Sequence, residues 1–505
     1  MNEQRSAQTA GGKAFRPKPR LPRGFRDRDE AELMAEARML DTIRGVYASY
    51  GFQALETPAF EYADALGKFL PDSDRPNEGV FSLKDDDGQW LSLRYDLTAP
   101  LARHVAENFQ NLPKPFRRYQ VGTVWRNEKP GPGRFREFTQ CDADTVGSAA
   151  PAADAELLMM CADCLEALGL KRGDYAILLN SRKLLDGVLE AAGVGGDPVR
   201  RGIVLRALDK LDRLGVDGVR ALLGEGRRDE SGDFTPGAGL DREAISRVLS
   251  FAAPDQGSAG DPQAVLPRLT QSVAGSAAGE AGAANLGDIL RIVNGCGYGE
   301  DRVRVDSGIV RGLDYYTGAV FEAQLAFPVT NEAGENVVFG SIGGGGRYDG
   351  LVARFTGAEV PATGISIGVS RLLSALKARA GAEGFAAAPL CVVLVLDKSA
   401  AAEAFGIAAE LRAAGIRAEA YAGDGGMKAQ LKYADKRGAA IAVIEGGDER
   451  ARGEITLKDL NRGAQLAKTA ETRDAWLTAR PAQQTVKRGE LVACARAMLE
   501  GGRTP

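Results

Sequence analysis

The amino-acid sequence predicts an α+β fold in which a large sheet domain, interrupted by a helical insertion, precedes a separate α/β domain. Segments of alternating polarity flank turn residues in the first 150 positions, as in β-hairpins. Residues 190–300 are rich in Ala, Gly, Asp and Arg and contain stretches of helical periodicity. From residue 391 onwards, strand and helix patterns alternate, which is typical of α/β domains.

The composition excludes several kinds of chemistry. The chain has 505 residues, 44% of them hydrophobic and 26% charged, with a formal net charge of −4 and one histidine, His104. A multi-histidine metal site and a histidine-cluster pH switch are therefore excluded. The six cysteines lack the spacing of a secreted disulfide scaffold, and no apolar run has the length of a membrane span or a signal sequence. We expect a cytoplasmic protein without a membrane partner.

Periodicity and turn residues place the elements of the larger domain. Apolar residues recur with helical spacing over residues 29–50 and 152–168. Strand-like segments flank the turn Asp85–Gly88. The other expected elements are strands in 117–146, 303–325 and 337–342, helical stretches in 201–223 and 241–252, a helix near 369–379, a loose tract in 254–285, and a glycine-rich turn at 343–346. The glycines at 343–346 equally fit the wall of a pocket where the backbone approaches a ligand.

Composition also suggests the domain boundaries. Residues 1–20 carry an excess of basic side chains and are expected to form a disordered tail. The large domain is expected over residues 21–382, with the insertion at about 190–300. The α/β domain is expected over residues 388–505, with strands at 391–396, 417–421 and 440–445 and helices at 400–413 and 427–437.

The segment Arg117–Gly147 concentrates side chains suited to ligand chemistry. Its residues Lys129–Gly133 must form a loop between two strands. With the period of two of a β-strand, one face of the return strand carries Arg134, Arg136, Phe138, Gln140 and Asp144. Arginine binds phosphate oxygens and an aromatic ring can stack on a base, so a nucleotide is one interpretation. A solvated, charged hairpin face is the other.

Five ordered motifs resemble those of histidyl-tRNA synthetases, a family of class II aminoacyl-tRNA synthetases. They are Gly51–Pro58 (motif 1, whose proline lies at a dimer interface), Arg126–Glu128 with Arg134–Phe138 (motif 2), Arg311–Tyr316, Gly344–Gly350, and Gly364–Arg371 (motif 3). The Arg311–Tyr316 and Gly344–Gly350 segments narrow the resemblance to this family. Ser370 departs from the pattern, since an acid usually precedes the arginine of motif 3.

The resemblance implies a class II antiparallel-sheet catalytic domain that activates L-histidine with ATP and Mg²⁺ and transfers it to the histidine tRNA. It implies that Asp96, Thr98 and Gln140 hold the α-amino group and that Asp144, Tyr315 and Tyr316 read the imidazole. The period of two would place Asp96 and Thr98 on the same face of one strand.

The resemblance also implies the ATP site. Arg126 and Arg311 would bracket the α-phosphate as catalytic residues. The ATP contacts would come from Arg126, Glu128, Arg134, Arg136, Phe138 and Arg371. No dedicated metal ligands are implied, because Mg²⁺ would accompany ATP. The family further implies a homodimer and a C-terminal anticodon-binding domain, whose matching segment Met427–Arg437 has a local net charge of +3.

Other interpretations stay open. The synthetase-like regulatory subunit of ATP phosphoribosyltransferase binds histidine without aminoacylation, but it needs neither the arginine set nor the C-terminal domain. A class II synthetase for another amino acid is disfavoured by Arg311–Tyr316. Cys161 and Cys164 have metal-like spacing, yet they lie on an apolar stripe without a second pair. His104 lies beside another apolar stripe, which favours a structural role.

Overall fold

The computed structural model describes residues 16–69, 79–130, 135–228, 233–252, 262–309, 316–330, 336–337, 340–380, 388–469 and 482–501. The chain divides into two compact units, one ending at residue 385 and the other beginning at residue 386. Most of the expected basic tail lies outside the described residues, as does much of the segment that joins the units.

The larger unit contains fifteen described strands and eleven described α-helices. The strands are β1 (Gln53–Ala54), β2 (Phe60–Tyr62), β3 (Ser82–Lys84), β4 (Trp90–Leu93), β5 (Phe116–Trp125), β6 (Glu137–Val146), β7 (Tyr175–Ser181), β8 (Gly226–Arg228), β9 (Phe234–Pro236), β10 (Val303–Val305), β11 (Ala319–Leu325), β12 (Val329–Thr330), β13 (Asn336–Val337), β14 (Ser341–Arg347) and β15 (Ala362–Gly368). The helices are α1 (Glu30–Ser49), α2 (Thr98–Asn108), α3 (Pro151–Ala167), α4 (Arg182–Ala191), α5 (Pro198–Leu208), α6 (Leu211–Leu223), α7 (Arg242–Ala252), α8 (Pro262–Ser272), α9 (Ala277–Gly295), α10 (Ala353–Thr356) and α11 (Val369–Ala380).

An eight-stranded sheet forms the centre of this unit. Its strand order is β1-β5-β6-β15-β14-β11-β7-β10. The pairs from β5 to β7 are antiparallel, and only the end pairs β1–β5 and β7–β10 are parallel. The α+β fold class predicted from the sequence is therefore confirmed.

Helices α1 and α3 pack against this sheet through apolar stripes. The side chain of Asp29 accepts a hydrogen bond from the Glu32 amide (2.8 Å) and so begins α1. Buried residues recur along α1 at helical spacing, among them Met39, Ile43 and Tyr47. The hydroxyl of Tyr47 donates to the Cys141 carbonyl of β6 (3.3 Å), which ties the helix to the central strands.

One expectation for the insertion is confirmed and another is wrong. The helical stretch expected over 201–223 is present as two helices, α5 and α6. The tract 254–285, expected to be loose, contains α8 and the first half of α9, although residues 253–261 lie outside the described part. Its small residues serve close packing instead: a Cβ atom at Gly187 of α4 would lie 2.7 Å from the Cα of Gly279 in α9.

The expected turn at residues 343–346 is also wrong. These glycines form most of β14, which pairs with β15 on one side and β11 on the other. A Cβ atom at Gly345 would overlap the Gly364 carbonyl oxygen of β15, so the neighbouring backbones leave no space for a side chain. The run of glycines indicates close strand packing rather than a reversal of the chain.

The smaller unit is an α/β domain, as expected from residue 391 onwards. Its strands are β16 (Cys391–Val393), β17 (Ala418–Ala420), β18 (Ile441–Ile444), β19 (Glu454–Asp459) and β20 (Gln483–Lys487), in the order β17-β16-β18-β19-β20. Its helices are α12 (Ala401–Ala413), α13 (Met427–Lys436), α14 (Gly447–Arg452), α15 (Leu460–Thr469) and α16 (Leu491–Gly501). Among the described helices of the chain, none is long and apolar enough to cross a membrane.

A buried ion pair between α3 and β14 gives a prediction about stability. Asp154 is fully buried and lies 2.7 Å from the Arg347 guanidinium. Asp154→Ala removes the nearer carboxylate and leaves the buried guanidinium with the more distant Asp349 (3.6 Å). It should cost about 3 kcal/mol, the lower end for breaking a buried pair, and lower Tm in differential scanning calorimetry by several degrees. Asp41→Ala removes the partner of an exposed pair with Arg44 and should cost less than about 1 kcal/mol. Equal Tm values for the two variants would contradict the assignment.

Candidate active site

Strands β5, β6 and β15 place polar and glycine residues in rows across the sheet. The register gives three rows: Arg118, Asp144 and Gly364; Gln120, Asp142 and Ser366; and Gly122, Gln140 and Gly368. Directly opposite residues of antiparallel strands point to the same side of the sheet. We call this side, with Phe138 one row further along β6, the polar face.

Asp144 is held from three directions. Its carboxylate accepts a hydrogen bond from the Tyr348 hydroxyl and lies 2.8 Å from the guanidinium of Arg118. Arg118 is fully buried and also donates to the Leu97 carbonyl (2.9 Å). A Cβ atom at Gly364 would overlap the carboxylate, so only glycine leaves space for it. Burial raises the pKa of Asp144, and Arg118 and Tyr348 oppose that rise.

Asp142 and Gln140 are joined through one serine. The amide of Gln140 donates to the Ser366 hydroxyl (2.6 Å). Ser366 pairs with Asp142 across the strands, and its hydroxyl lowers the pKa of that carboxyl group. Burial, and then the neighbouring charge of Asp144, raise the pKa of Asp142 to about 7. Sequence reasoning missed Asp142, although the period of two that linked Gln140 to Asp144 passes through it.

The expectation that Asp96 and Thr98 share a strand face is wrong. Strand β4 ends at Leu93, and Thr98 is the first residue of α2. The Asp96 carboxylate accepts hydrogen bonds from the amides of Thr98 (3.1 Å) and Ala99 (2.9 Å), which favours the start of a helix at this point. Asp96 still belongs to the acidic cluster, because its charge raises the pKa values of Asp142 and Tyr316.

The residues expected to bind ATP lie near the loop end of the hairpin. The Arg126 guanidinium lies 5.1 Å from the centre of the Phe138 ring, and its Nε donates to the Tyr95 carbonyl (3.0 Å). The Arg136 Nε donates to the carbonyl of Glu128 (2.9 Å), which joins the two sides of the hairpin.

Helix α11, which carries Arg371 in its first turn, begins near the same end of the hairpin. Gly368 pairs with Gln140, so the chain that leaves β15 runs beside the row of Phe138. Ser370 and Phe138 line one small cavity there. The exposed side chain of Arg371 donates a hydrogen bond to the carbonyl of Ser341, the first residue of β14 (2.7 Å).

Three predicted site residues, Arg134, Arg311 and Tyr315, lie outside the described residues. Tyr316 is half-buried, and burial raises its pKa, followed by the charges of Asp142 and Asp144. The structure brings Asp96, Gln140, Asp144 and Tyr316 together around one acidic cluster, and it places Arg126 beside Phe138. The role of each residue stays a prediction.

Two residues that hold Asp144 were not singled out from the sequence. Tyr348 lies in the segment Gly344–Gly350, whose run of glycines is its most conspicuous sequence feature. Arg118 precedes motif 2, and only the register of β5 against β6 shows that it faces Asp144. Cys161 and Cys164 are buried in the core, and the described residues contain no cluster of three His, Cys, Asp or Glu side chains suited to a metal ion.

An antiparallel sheet with these motifs on its adjacent strands β5, β6 and β15 defines a class II aminoacyl-tRNA synthetase. Residues 24–372 match the family model described as histidyl-tRNA synthetase, and residues 390–494 match that of an anticodon binding domain. The chain is 57% identical to the histidine–tRNA ligase of Caulobacter vibrioides, over 96% of this chain and 98% of that protein. It is 58% identical to that of Rhizobium meliloti, over 95% of each. The chain therefore belongs to the histidyl-tRNA synthetase family.

Solved structures agree with this assignment. The histidyl-tRNA synthetase of a Nostoc species superposes with a TM-score of 0.69 at 29% identity, covering 95% of this chain and 99% of that one. A Bacillus halodurans structure, described as an ATP phosphoribosyltransferase regulatory subunit/histidyl-tRNA synthetase, has a TM-score of 0.62 at 22% identity, covering 82% and 97%. The second likeness shows the fold alone.

The raised pKa of Asp142 predicts a pH-dependent change in stability. An ordinary carboxyl group releases its proton near pH 4, whereas Asp142 in the folded protein keeps it until about pH 7. Unfolding therefore releases a proton between these values, and the contribution of Asp142 to stability falls as pH rises through this window. Asp142→Asn cannot ionise, so its Tm relative to wild type should be several degrees higher at pH 8 than at pH 5. A pH-independent difference in calorimetry would contradict this.

Proposed function

We propose that the protein is a histidine–tRNA ligase. It activates L-histidine with ATP to form histidyl-adenylate and pyrophosphate, and then transfers histidine to the 3′ end of its tRNA. The observation that carries the proposal is the polar face, where buried Asp144 lies between Arg118 and Tyr348 on the strand that also carries Phe138 beside Arg126. Membership of the family supports the same reaction, and the cytoplasm is the expected place for it.

The proposed activation step needs positioned positive charge rather than a strong base. The attacking group is the histidine carboxylate, which is already an anion, and the α-phosphate of ATP is also negative. The enzyme must hold the two together and stabilise the charge of the pentacovalent transition state. Arg126, fixed by the Tyr95 carbonyl, is one such group, and the resemblance assigns Arg311 as the other.

Mg²⁺ is proposed to arrive with ATP, where it would offset charge on the phosphates. Arg134 and Arg136 are assigned to the β- and γ-phosphates by resemblance, and Glu128 and Arg371 to the adenine. The described geometry supports Phe138 as the residue that stacks on adenine. The Arg126 guanidinium lies beside its ring, and the chain that enters α11 leaves β15 next to the same part of β6.

Selection of histidine has a physical basis in the Asp144 site. A carboxylate and a tyrosine hydroxyl can accept from and donate to the two imidazole nitrogens. An amino acid that lacks these nitrogens would leave buried polar groups unpaired, which supports strong discrimination. Tyr348 already contacts Asp144, and Tyr315 and Tyr316 are the hydroxyl groups assigned by resemblance.

The smaller unit is proposed to bind the anticodon part of the tRNA. Helix α13 exposes Lys428, Lys432 and Lys436 at a spacing of four residues, so they share one face. The buried side chain of Gln430 fixes this helix by hydrogen bonds with the backbone of Val395. A fixed row of three lysines fits a phosphate backbone.

The protein is also proposed to be a homodimer through the small sheet β2–β4–β3. Phe60, Tyr62 and Leu83 lie on the same side of that sheet and are 44%, 57% and 45% exposed. Phe60 and Tyr62 also line an open groove of about 440 Å³, together with the motif 1 proline Pro58 and with charged side chains that include Glu61 and Arg103. Exposed apolar patches of this kind mark interaction surfaces, and a second copy is the occupant that motif 1 suggests.

The catalytic proposal predicts histidine-dependent exchange of pyrophosphate into ATP. Arg126→Ala should lower kcat about 10²–10³-fold, the usual effect of removing one charge-stabilising donor. Histidine affinity, measured by calorimetry, should change less than about 3-fold, because Arg126 faces the phosphate. Arg304→Ala removes an exposed arginine from β10 and is the control. Histidine binding by wild type without any exchange would contradict the ligase and support a regulatory protein instead.

The dimer proposal predicts that Tyr62→Glu produces monomers. A buried, unpaired carboxylate is unfavourable in an apolar interface. Wild type should sediment with twice the 53.4 kDa mass of one chain, and the variant with that of one chain. Leu396→Glu changes a similarly exposed apolar residue in the smaller unit and should remain dimeric. A monomeric wild-type protein, or a dimeric Tyr62→Glu variant, would overturn the proposal.

A further inference from the structure

Asp142 occupies a position on the polar face to which the family resemblance assigns no role. It lies between Gln140 and Asp144 on β6 and is 2% exposed. Within the part of the chain that the structure describes, its Oδ1 atom has no hydrogen-bond partner. A buried acceptor without a donor is unfavourable by about 1–3 kcal/mol, so this atom points to a ligand.

The neighbouring side chains indicate which kind of ligand it is. Gln140 uses its amide to donate to Ser366, which lies directly opposite Asp142 on the neighbouring strand. This leaves Gln140 Oε1 and Asp142 Oδ1, two buried acceptors that lack partners among the described residues. Two adjacent acceptors, one of them a carboxylate, suit a cationic group with several N–H donors, such as an ammonium group.

The other carboxylates of the cluster are already engaged. One oxygen of Asp96 accepts from two amides at the start of α2. Asp144 is held by Arg118 and Tyr348. Two buried carboxylate oxygens of the cluster, Asp144 Oδ2 and Asp142 Oδ1, lack a hydrogen-bond partner among the described residues. Asp144 Oδ2 lies 2.8 Å from the Arg118 guanidinium, which leaves Asp142 Oδ1, beside Gln140, as the oxygen of these two without an ion pair in the described part of the chain.

We propose that Asp142, together with Gln140, binds the α-ammonium group of histidine, and that Ser366 positions its carboxylate. This inference rests on the proposed function and adds a residue to its substrate site. The spacing is compatible, because residues two apart on a strand are about 6.6 Å apart. Asp142 thus contacts the amino end of histidine while Asp144 contacts its ring.

A linked release of protons follows from the same placement. The groups that act on Asp142 are Asp144, Arg118, Ser366, Asp96, Arg94 and Tyr316, with Tyr47 and Cys141 behind the strand. Because burial raises its pKa to about 7, the carboxyl group of the empty site holds a proton in part of the population near neutral pH. An ammonium group favours the ionised carboxylate, so histidine binding releases that proton. Wild type should therefore release more protons on binding histidine than Asp142→Asn does, and the difference should shrink as pH rises above 7.

The test compares two ligands on the full chain by titration calorimetry without ATP. One is histidine, and the other is 3-(imidazol-4-yl)propionate, which lacks only the α-amino group. Asp142→Asn should weaken histidine binding about 10- to 100-fold, the range for losing a charged hydrogen bond, and the deamino ligand less than about 3-fold. Ser366→Ala should give a smaller loss of the same kind, and Ser366→Thr, which keeps the hydroxyl, should restore binding. Arg304→Ala, which changes an exposed residue of β10, is the control and should bind both ligands as wild type does.

The outcomes separate the inference from the function on which it rests. Equal losses for both ligands would place Asp142 at the ring or in a structural role and overturn the inference, as would unchanged affinity for histidine. With either of these outcomes, the proposed function still holds if wild type binds histidine and exchanges pyrophosphate into ATP. Wild type that does neither overturns the proposed function and the inference with it.

Discussion

The contact between Arg118 and Asp144 is the interaction on which the arrangement of the catalytic unit depends. It joins β5 to β6 inside the sheet, and both side chains are almost completely buried. Removing two charges from water is unfavourable unless they are paired and hydrogen-bonded, and here the Leu97 carbonyl and the Tyr348 hydroxyl supply the additional bonds. A shift of one residue in the register would turn Asp144 to the opposite face and leave Arg118 buried without it. The ion pair therefore fixes the register that also aligns Gln140, Asp142 and Phe138.

Glycines around this pair make the polar face possible. Gly364 leaves the space that the Asp144 carboxylate occupies, and a Cβ atom at Gly122 would come 2.5 Å from the Arg94 guanidinium. The glycines of β14 let three backbones pack closely beside the site. The result is a rigid floor of carboxylates on regular strands, which suits the selection of a small substrate by hydrogen bonds. The burial of Asp142 is unfavourable in the empty protein. In the proposed complex, the ammonium group of the ligand offsets this by pairing with the carboxylate.

The sequence predicted the fold class, the central hairpin and the α/β unit, because these depend on local periodicity. It did not predict Tyr348 and Arg118 as partners of Asp144, since that contact depends on the pairing of strands distant in sequence. Periodicity also failed where glycine and alanine dominate. It predicts a loose tract where α8 and the first half of α9 lie, and a turn where β14 lies, although close packing between neighbouring elements explains both structures. Asp96 and Thr98 were placed on a strand because their spacing fits one, whereas the Asp96 carboxylate starts a helix there. The strand period of two could have predicted Asp142, because it lies two residues from both Gln140 and Asp144 on the polar face.

The polar face of β6 is proposed to hold histidine, with its amino end at Gln140 and Asp142 and its ring at Asp144. A crystal structure of the full chain with bound histidine would show this placement. We predict the imidazole within hydrogen-bonding distance of Asp144 and the α-nitrogen within about 3.2 Å of Gln140 Oε1 and Asp142 Oδ1. Histidine bound away from β6, or with its ring and amino group exchanged along the strand, would contradict the account.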